Sequence, residues 1–171
     1  MLEGSLHIRP LSPADSPLLE AGFRAQGWHK TASLFEVYAQ ESTRGTRTAL
    51  VALWGDVIAG YVTIKWHPTY TSFQEKRIPE ISDLNVLKAY QRKGIASALM
   101  EAVEELVFQT YQFVGLGVGL LSDYGPAQRL YVKRGYQPDG KGLTYQEAPC
   151  RHRDQVTADD DLLLWLVKEK I

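Results

Sequence analysis

Leu6-His7-Ile8-Arg9-Pro10-Leu11 alternates apolar and polar positions up to a proline, the pattern of a short strand at a sheet edge. The period then changes. Ser12 and Asp15 are helix-capping residues, Pro17 to Ala25 is helical in composition, and Ser33 to Ser42 repeats apolar side chains at Leu34, Val37 and Tyr38. Two helices are expected there, separated by a break at Gly27-Trp28-His29-Lys30. Two β-rich runs, Arg47 to Trp54 and Val57 to Trp66, flank Gly55-Asp56 and read as a hairpin. A polar, aromatic loop from His67 to Arg77 leads to a strand over Ile78 to Leu87. Gln91 to Thr110 then carries Ile95, Leu99, Val103 and Leu106 on one helical stripe.

Val114 to Leu121 alternates again, with apolar side chains on one face and Gly115, Gly117 and Gly119 on the other. Three such glycines cost strand stability, so something bulky is expected against them, either a close-packed helix or an extended ligand. Pro126 to Arg134 fits a short helix with proline in its first turn and Gly135 just past its end. Gly142 to Glu147 and Leu162 to Lys168 supply the last strands, joined by a long polar segment, Ala148 to Asp161. Two strand-then-helix units follow a hairpin, with no repeat, low-complexity tract or linker, so residues 1–171 are expected to form one domain.

Composition narrows the class. With 171 residues, 44% hydrophobic and 23% charged, the chain is long enough to bury roughly 70% of its unfolded surface without help from disulfides or metal. Cys150 is its only cysteine, and no cysteine or histidine cluster has metal-ligand spacing, so a disulfide scaffold, a zinc module and a bound metal are not expected. A net charge of −1 argues against a nucleic-acid partner. No apolar run approaches the ~20 residues of a spanning helix, and the start lacks a signal pattern, so no membrane partner and a cytoplasmic location are expected.

The stretch Leu84-Asn85-Val86-Leu87-Lys88-Ala89-Tyr90-Gln91-Arg92-Lys93-Gly94-Ile95-Ala96-Ser97 carries the chemistry. A strand feeds a helix through a basic, glycine-opened turn. The first N–H groups of a helix have no intrahelical partner and carry partial positive charge, so this turn can hold a phosphate; a plain turn with a solvated basic edge is the other reading. A Walker loop would need Lys-Ser/Thr after its last glycine, and Gly94 is followed by Ile95-Ala96. The glycines at 115, 117 and 119 lie within a strand and do not form a dinucleotide fingerprint.

Gln91-Arg92-Lys93-Gly94-Ile95-Ala96 resembles the Q/R-x-x-G-x-G/A signature of the GCN5-related N-acetyltransferases (GNAT). Ala127-Gln128-Arg129-Leu130-Tyr131-Val132-Lys133-Arg134-Gly135-Tyr136 resembles that family's A-x-x-L-Y-x-x-x-G-F/Y segment, in the right order and separation. The resemblance implies an α/β (α+β) fold, a mixed, mostly antiparallel sheet splayed at two parallel central strands and flanked by about four helices. It implies acetyl-CoA as acyl donor, with Leu84, Asn85 and Val86 pairing with the pantetheine arm and residues Gln91, Arg92, Lys93, Gly94, Ile95, Ala96 and Ser97 cradling the pyrophosphate. Many members have a cofactor-contacting asparagine three positions before the alanine of the second segment, and Tyr124 stands there in this chain.

The implied reaction is attack of a neutral amine on the thioester, which needs a base for the ammonium and a donor to the leaving sulfur. Tyr131 stands where the family's tyrosine serves the sulfur. Glu80 matches the catalytic glutamate that histone-acetylating members carry eleven residues before the signature, and Asp83 is the second candidate base. A strand reverses face at every residue, so Glu80 and Asp83 share a face only if the strand is bulged. In this fold the acceptor site is walled by the connection between the first two helices, the loop before the Ile78 strand, and the 148–161 segment. Trp28-His29-Lys30 and Trp66-His67-Pro68-Thr69-Tyr70 bring aromatic rings to two of these walls, a composition suited to a small-molecule amine. A peptide amine, or a module that binds acyl-CoA without turnover, are the alternatives. Trp165 on the final strand is either core or the seam of a homodimer.

Overall fold

In this computed structural model, which describes residues 4–171, the edge pattern ending at Pro10 forms β1 (Leu6–Pro10). It pairs antiparallel with β2 (Arg47–Trp54), Ile8 opposite Ala52. β2 turns at Gly55-Asp56 into β3 (Val57–Lys65), and a register shift between Ala52 and Leu53 accommodates the twist of the pair. Between β1 and β2 lie α1 (Ser16–Ala25) and α2 (Ala32–Arg44). The approach to α1 is fixed by the buried Asp15 carboxylate, which accepts from the Ser12 N–H at 2.8 Å and from both terminal nitrogens of Arg9 at 2.7 and 2.8 Å.

The remaining elements are α3 (Thr71–Lys76), β4 (Glu80–Val86), α4 (Ile95–Phe108), β5 (Phe113–Gly119), α5 (Gly125–Lys133), β6 (Gln137–Tyr145), β7 (Ala148–Pro149) and β8 (Leu162–Glu169). The strands are ordered β1-β2-β3-β4-β5-β8-β6-β7, antiparallel apart from β4 and β5, which pair in parallel at Glu80↔Gly115. This is the mixed α/β class the sequence implied, with five α-helices among the described residues where about four were expected.

By contacts the chain groups into two units: everything up to Trp66 together with Ser82–Leu106, and His67–Ile81 together with Val107–Ile171. The first unit is centred on Leu19, Phe23, Phe35, Val51 and Tyr61, all at most 1% exposed, with the rings of Phe23 and Phe35 meeting Tyr61 edge-on at 5.6 and 5.0 Å. In the second, Tyr70 stacks on Trp165 at 4.0 Å and Phe73 meets the same indole edge-on at 5.2 Å. Trp165 is 1% exposed and its indole N–H donates to Thr144 Oγ1 at 2.8 Å, so it is core, and the dimer seam the sequence offered is not available at this residue.

Other departures have local causes. The loop at His67–Arg77 contains α3, which drives Phe73 into the second core. The long helix begins at Ile95 and not at Gln91, because Arg92 and Gly94 have φ of +60° and +80°, incompatible with a right-handed helix. β6 starts at Gln137, five residues earlier than expected, pairing Gln137 with Val167 before an irregularity between Pro138 and Leu143. The 148–161 segment opens with β7, which pairs back on β6 at Tyr145↔Ala148.

The glycine face of β5 is covered by aromatic rings. A Cβ at Gly115 would stand 2.2 Å from the Phe73 ring, and one at Gly119 would stand 2.4 Å from the ring of Tyr124. Phe73 is fully buried between Tyr70 and Trp165 and has no room to retreat. Gly115→Ala should therefore cost about 1–3 kcal/mol by overpacking, read as a lower urea midpoint at unchanged slope. An unaltered midpoint would mean that the ring can move.

Candidate active site

The strand-to-helix turn is held at both ends. Gln91 Nε2 donates to the Val86 carbonyl at 3.1 Å, tying the turn to the end of β4, and the Gly94 carbonyl accepts from the Ala98 N–H at 3.0 Å as the first bond of α4. Gly94 is thus the cap residue, and the N–H groups of Ile95, Ala96 and Ser97 are those a helix cannot satisfy internally. Left-handed backbone at Arg92 and Gly94 coils Gln91-Arg92-Lys93-Gly94 tightly, and all four residues are exposed. Among the described residues, no heavy atom beyond its own chain neighbours lies within 4 Å of where a Cβ on Gly94 would project, so the backbone there is open to an approaching anion. The cations are supported by rings, Lys93 Nζ at 5.4 Å from the centre of Trp54 and Lys88 Nζ at 5.5 Å from that of Trp28.

Immediately before the turn, β4 carries an irregularity. Asp83 has φ of +56°, a left-handed residue within a strand, which breaks the alternation and re-aims the side chains around it. Its carboxylate collects four donors. Oδ1 accepts from Lys30 Nζ at 2.9 Å and from Asn85 Nδ2 at 2.7 Å, and Oδ2 accepts from the hydroxyls of Tyr38 at 2.8 Å and Tyr61 at 2.7 Å. Burial alone would raise the pKa of Asp83. The Lys30 charge and these hydrogen bonds outweigh it and hold the carboxyl below its ordinary range. The same burial, reinforced by the Asp83 charge, raises both tyrosines, so their hydroxyls stay protonated as donors. Arg47 lies over the Tyr38 ring at 4.4 Å and pairs with Glu41.

Among the residues singled out from sequence, Asn85 lies in this cluster, also donating to the Tyr61 hydroxyl at 3.3 Å, and Leu84 and Val86 flank it on β4. The partners Lys30, Tyr38 and Tyr61 were not foreseen. They lie 53, 45 and 22 residues from Asp83 in the chain, and no local pattern links them. Glu80 is buried at the start of β4, opposite Gly115 of β5.

Tyr131 sits on α5, 8% exposed, its ring meeting Tyr136 edge-on at 5.9 Å. Burial pushes its hydroxyl up to about 12, so it is a phenol throughout the physiological range. Tyr124, just before α5, packs against Gly119 and its hydroxyl donates to Asp160 at 2.7 Å. That contact ties the tyrosine to the 148–161 segment, and Gln128 Nε2 secures α5 to the end of β5 by donating to the Gly119 carbonyl at 2.8 Å.

Comparison with known proteins gives a consistent picture. A family model described as the acetyltransferase (GNAT) family matches residues 17–136, more than half of the chain. A putative GNAT acetyltransferase from Desulfovibrio desulfuricans superposes with a TM-score of 0.70 at 16% identity, over 96% of this chain and 99% of that one. An acetyltransferase from Salmonella typhimurium that modifies the N-terminal serine of ribosomal protein L7/L12 gives 0.71 at 10% identity, over 98% and 96%. A spermidine N-acetyltransferase chimera from Vibrio cholerae gives 0.69 at 14% identity, over 96% and 95%. No curated protein matches the sequence. Among the described residues no helix is long and apolar enough to cross a membrane, and no group of side chains is arranged to hold a metal ion.

Proposed function

This chain belongs to the acetyltransferase (GNAT) family, and on that premise we propose that it transfers the acetyl group of acetyl-CoA to a primary amine of a small molecule by direct attack. The observation that carries the reading is the open, capped turn at Gln91–Gly94 leading into α4, with basic side chains on both sides. It suits a diphosphate: N–H groups at Ile95, Ala96 and Ser97 to donate to its oxygens, Gly94 to let them approach, and Arg92 and Lys93 to balance charge. Leu84, Asn85 and Val86 would hold the pantetheine arm through their backbone, as an added strand pairs with a sheet edge.

Acetyl-CoA supplies an activated thioester, and the protein must supply two proton-handling groups. Tyr131, protonated at every working pH, is suited to donate a hydrogen bond to the departing sulfur. Glu80 is the proposed base for the incoming ammonium. Asp83, held ionised by four donors, has too little proton affinity to compete in that role and is better suited to holding a cation. Tyr124 is proposed to border the cofactor site from the end of β5. A small acceptor is favoured by the aromatic, lysine-bearing connection at Trp28–Lys30, which sets the Lys30 cation on Asp83 and the Trp28 ring under Lys88.

The test is thermal stability with and without millimolar acetyl-CoA, with ATP and NAD as phosphate-bearing controls. Ligand at ~100 times its dissociation constant stabilises by roughly 2.7 kcal/mol, and each kcal/mol moves the midpoint of a chain this size by about 2–4 °C. A selective rise of several degrees with acetyl-CoA is expected. An equal rise with ATP would reduce the turn to a generic anion site, and no rise would end the acetyl-transfer reading.

A further inference from the structure

The Asp83 cluster contains a cation, Lys30, that arrives from the connection between two helices. Tyr61 is fully buried and Tyr38 is 8% exposed, so both hydroxyls are fixed by core packing, and Asn85 is fixed on the same strand two residues on. Lys30 differs. It comes from the irregular connection between α1 and α2, reaches Asp83 across 53 residues of sequence, and leaves the pair about a fifth exposed, with side-chain exposures of 21% and 19%. Its ammonium also faces the Tyr61 ring, 5.6 Å from the centroid. A carboxylate that accepts from three neutral donors and one ammonium, beside an aromatic face and about a fifth exposed, has the chemistry of a receptor for an alkylammonium ion.

We propose that Asp83, Tyr38, Tyr61 and Asn85 form an ammonium-binding subsite that Lys30 occupies as a tethered surrogate, and that an acceptor displaces Lys30 by placing its own ammonium there. The proposal rests on the acetyl-transfer reading for one point, which amine goes where. Attack on a thioester needs a neutral amine, and a strongly ionised carboxylate stabilises the ammonium instead. The cation at Asp83 is therefore the one that does not react. The acceptor class that follows is a small molecule with two amines, one acetylated and one kept charged. Lys30 competes as an intramolecular ligand, so it raises the concentration of acceptor needed and excludes weakly basic or neutral compounds.

The experiment is calorimetric titration of the full chain with 1,5-diaminopentane, using 1-pentanol as the uncharged control, in wild type, Lys30→Met and Lys30→Met with Asp83→Asn. Methionine keeps the length and apolar stem of the lysine without its charge, and asparagine accepts left-handed backbone as readily as aspartate. Removing the tethered cation should tighten diamine binding about two- to fivefold, a change typical of releasing one partly exposed ion pair. The Asp83→Asn change should abolish that gain, and pentanol should not bind measurably to any variant. Equal diamine affinity in wild type and Lys30→Met, no binding to Lys30→Met, or a gain that survives Asp83→Asn would each overturn the proposal. The stabilisation by acetyl-CoA, measured on the same samples, reports separately on the acetyl-transfer reading and on whether each variant is folded.

Discussion

Tyr131→Phe is expected to lower kcat for acetyl transfer by about 10²-fold to 10³-fold, the usual loss when one donor to a developing negative charge is removed, while acetyl-CoA still raises the melting temperature. Burial pushes the Tyr131 hydroxyl up to about 12, above the range in which a thiol ionises in water. Full proton transfer from Tyr131 to the thiolate is then uphill. The proposed contribution is a hydrogen bond to the sulfur as charge builds, with the proton reaching the thiolate later from solvent. A second consequence concerns pH. A group required in its protonated form costs activity only above its own pKa, so Tyr131 should impose no falling limb on the rate below about pH 11. A limb near pH 8–9 that disappears in Tyr131→Phe would contradict this account. Phenylalanine keeps the ring and its edge contact with Tyr136, so the fold should survive. Unchanged turnover would remove Tyr131 from the mechanism.

The parts of this molecule that were legible in the sequence are those set by short-range periodicity. The hairpin at Gly55-Asp56, the stripe of Ile95, Leu99 and Val103, and the alternation of β5 each follow from side chains a few residues apart facing the same way. α3 was not legible because six residues hold too little pattern to show a period, and only Phe73 among them is buried. Its existence was nevertheless signalled at a distance, since the bare face at Gly115 required a bulky neighbour that proves to be the Phe73 ring. Trp165 could be read either way until its strand had a partner. Leu163 and Val167, two residues to either side, share its face and pack with it against Tyr70, Phe73 and Ile78.

The candidate site divides along the same line. The turn proposed to hold the diphosphate lies in consecutive residues and its strand-to-helix geometry was readable, although the sequence placed the helix start at Gln91 when Gly94 is the cap. The carboxylate cluster was not readable as a unit. It depends on left-handed backbone at Asp83, a conformation that aspartate tolerates but does not announce, and on Lys30, Tyr38 and Tyr61 arriving from three other elements. A motif written along the chain survives as a motif, whereas a site assembled by tertiary contacts leaves only isolated residues of ordinary type.

The turn itself offers the sharpest separation of binding from folding. Gly94→Val should weaken acetyl-CoA binding by about 100-fold or more, the equivalent of roughly 3 kcal/mol, while costing only about 1–2 kcal/mol of stability for a non-glycine residue in left-handed backbone. Both effects come from one atom. At φ of +80° any side chain is strained, and the Cβ projects into open space, since among the described residues no heavy atom beyond its chain neighbours lies within 4 Å of its position. The fold therefore has no steric reason to object beyond the local strain. An anion seated on the N–H groups of Ile95, Ala96 and Ser97 does, because the branched side chain stands where its oxygens must approach. Calorimetry with acetyl-CoA against urea denaturation of the same variant reads the two effects apart. Retained affinity in a protein whose midpoint has fallen would show that the diphosphate is held elsewhere, and that the turn contributes only its loop geometry. Lost affinity with a midpoint lowered by no more than that strain accounts for would place the cofactor's charge on the start of α4, where the exposed backbone of Gln91–Gly94 and the cations at Arg92 and Lys93 converge.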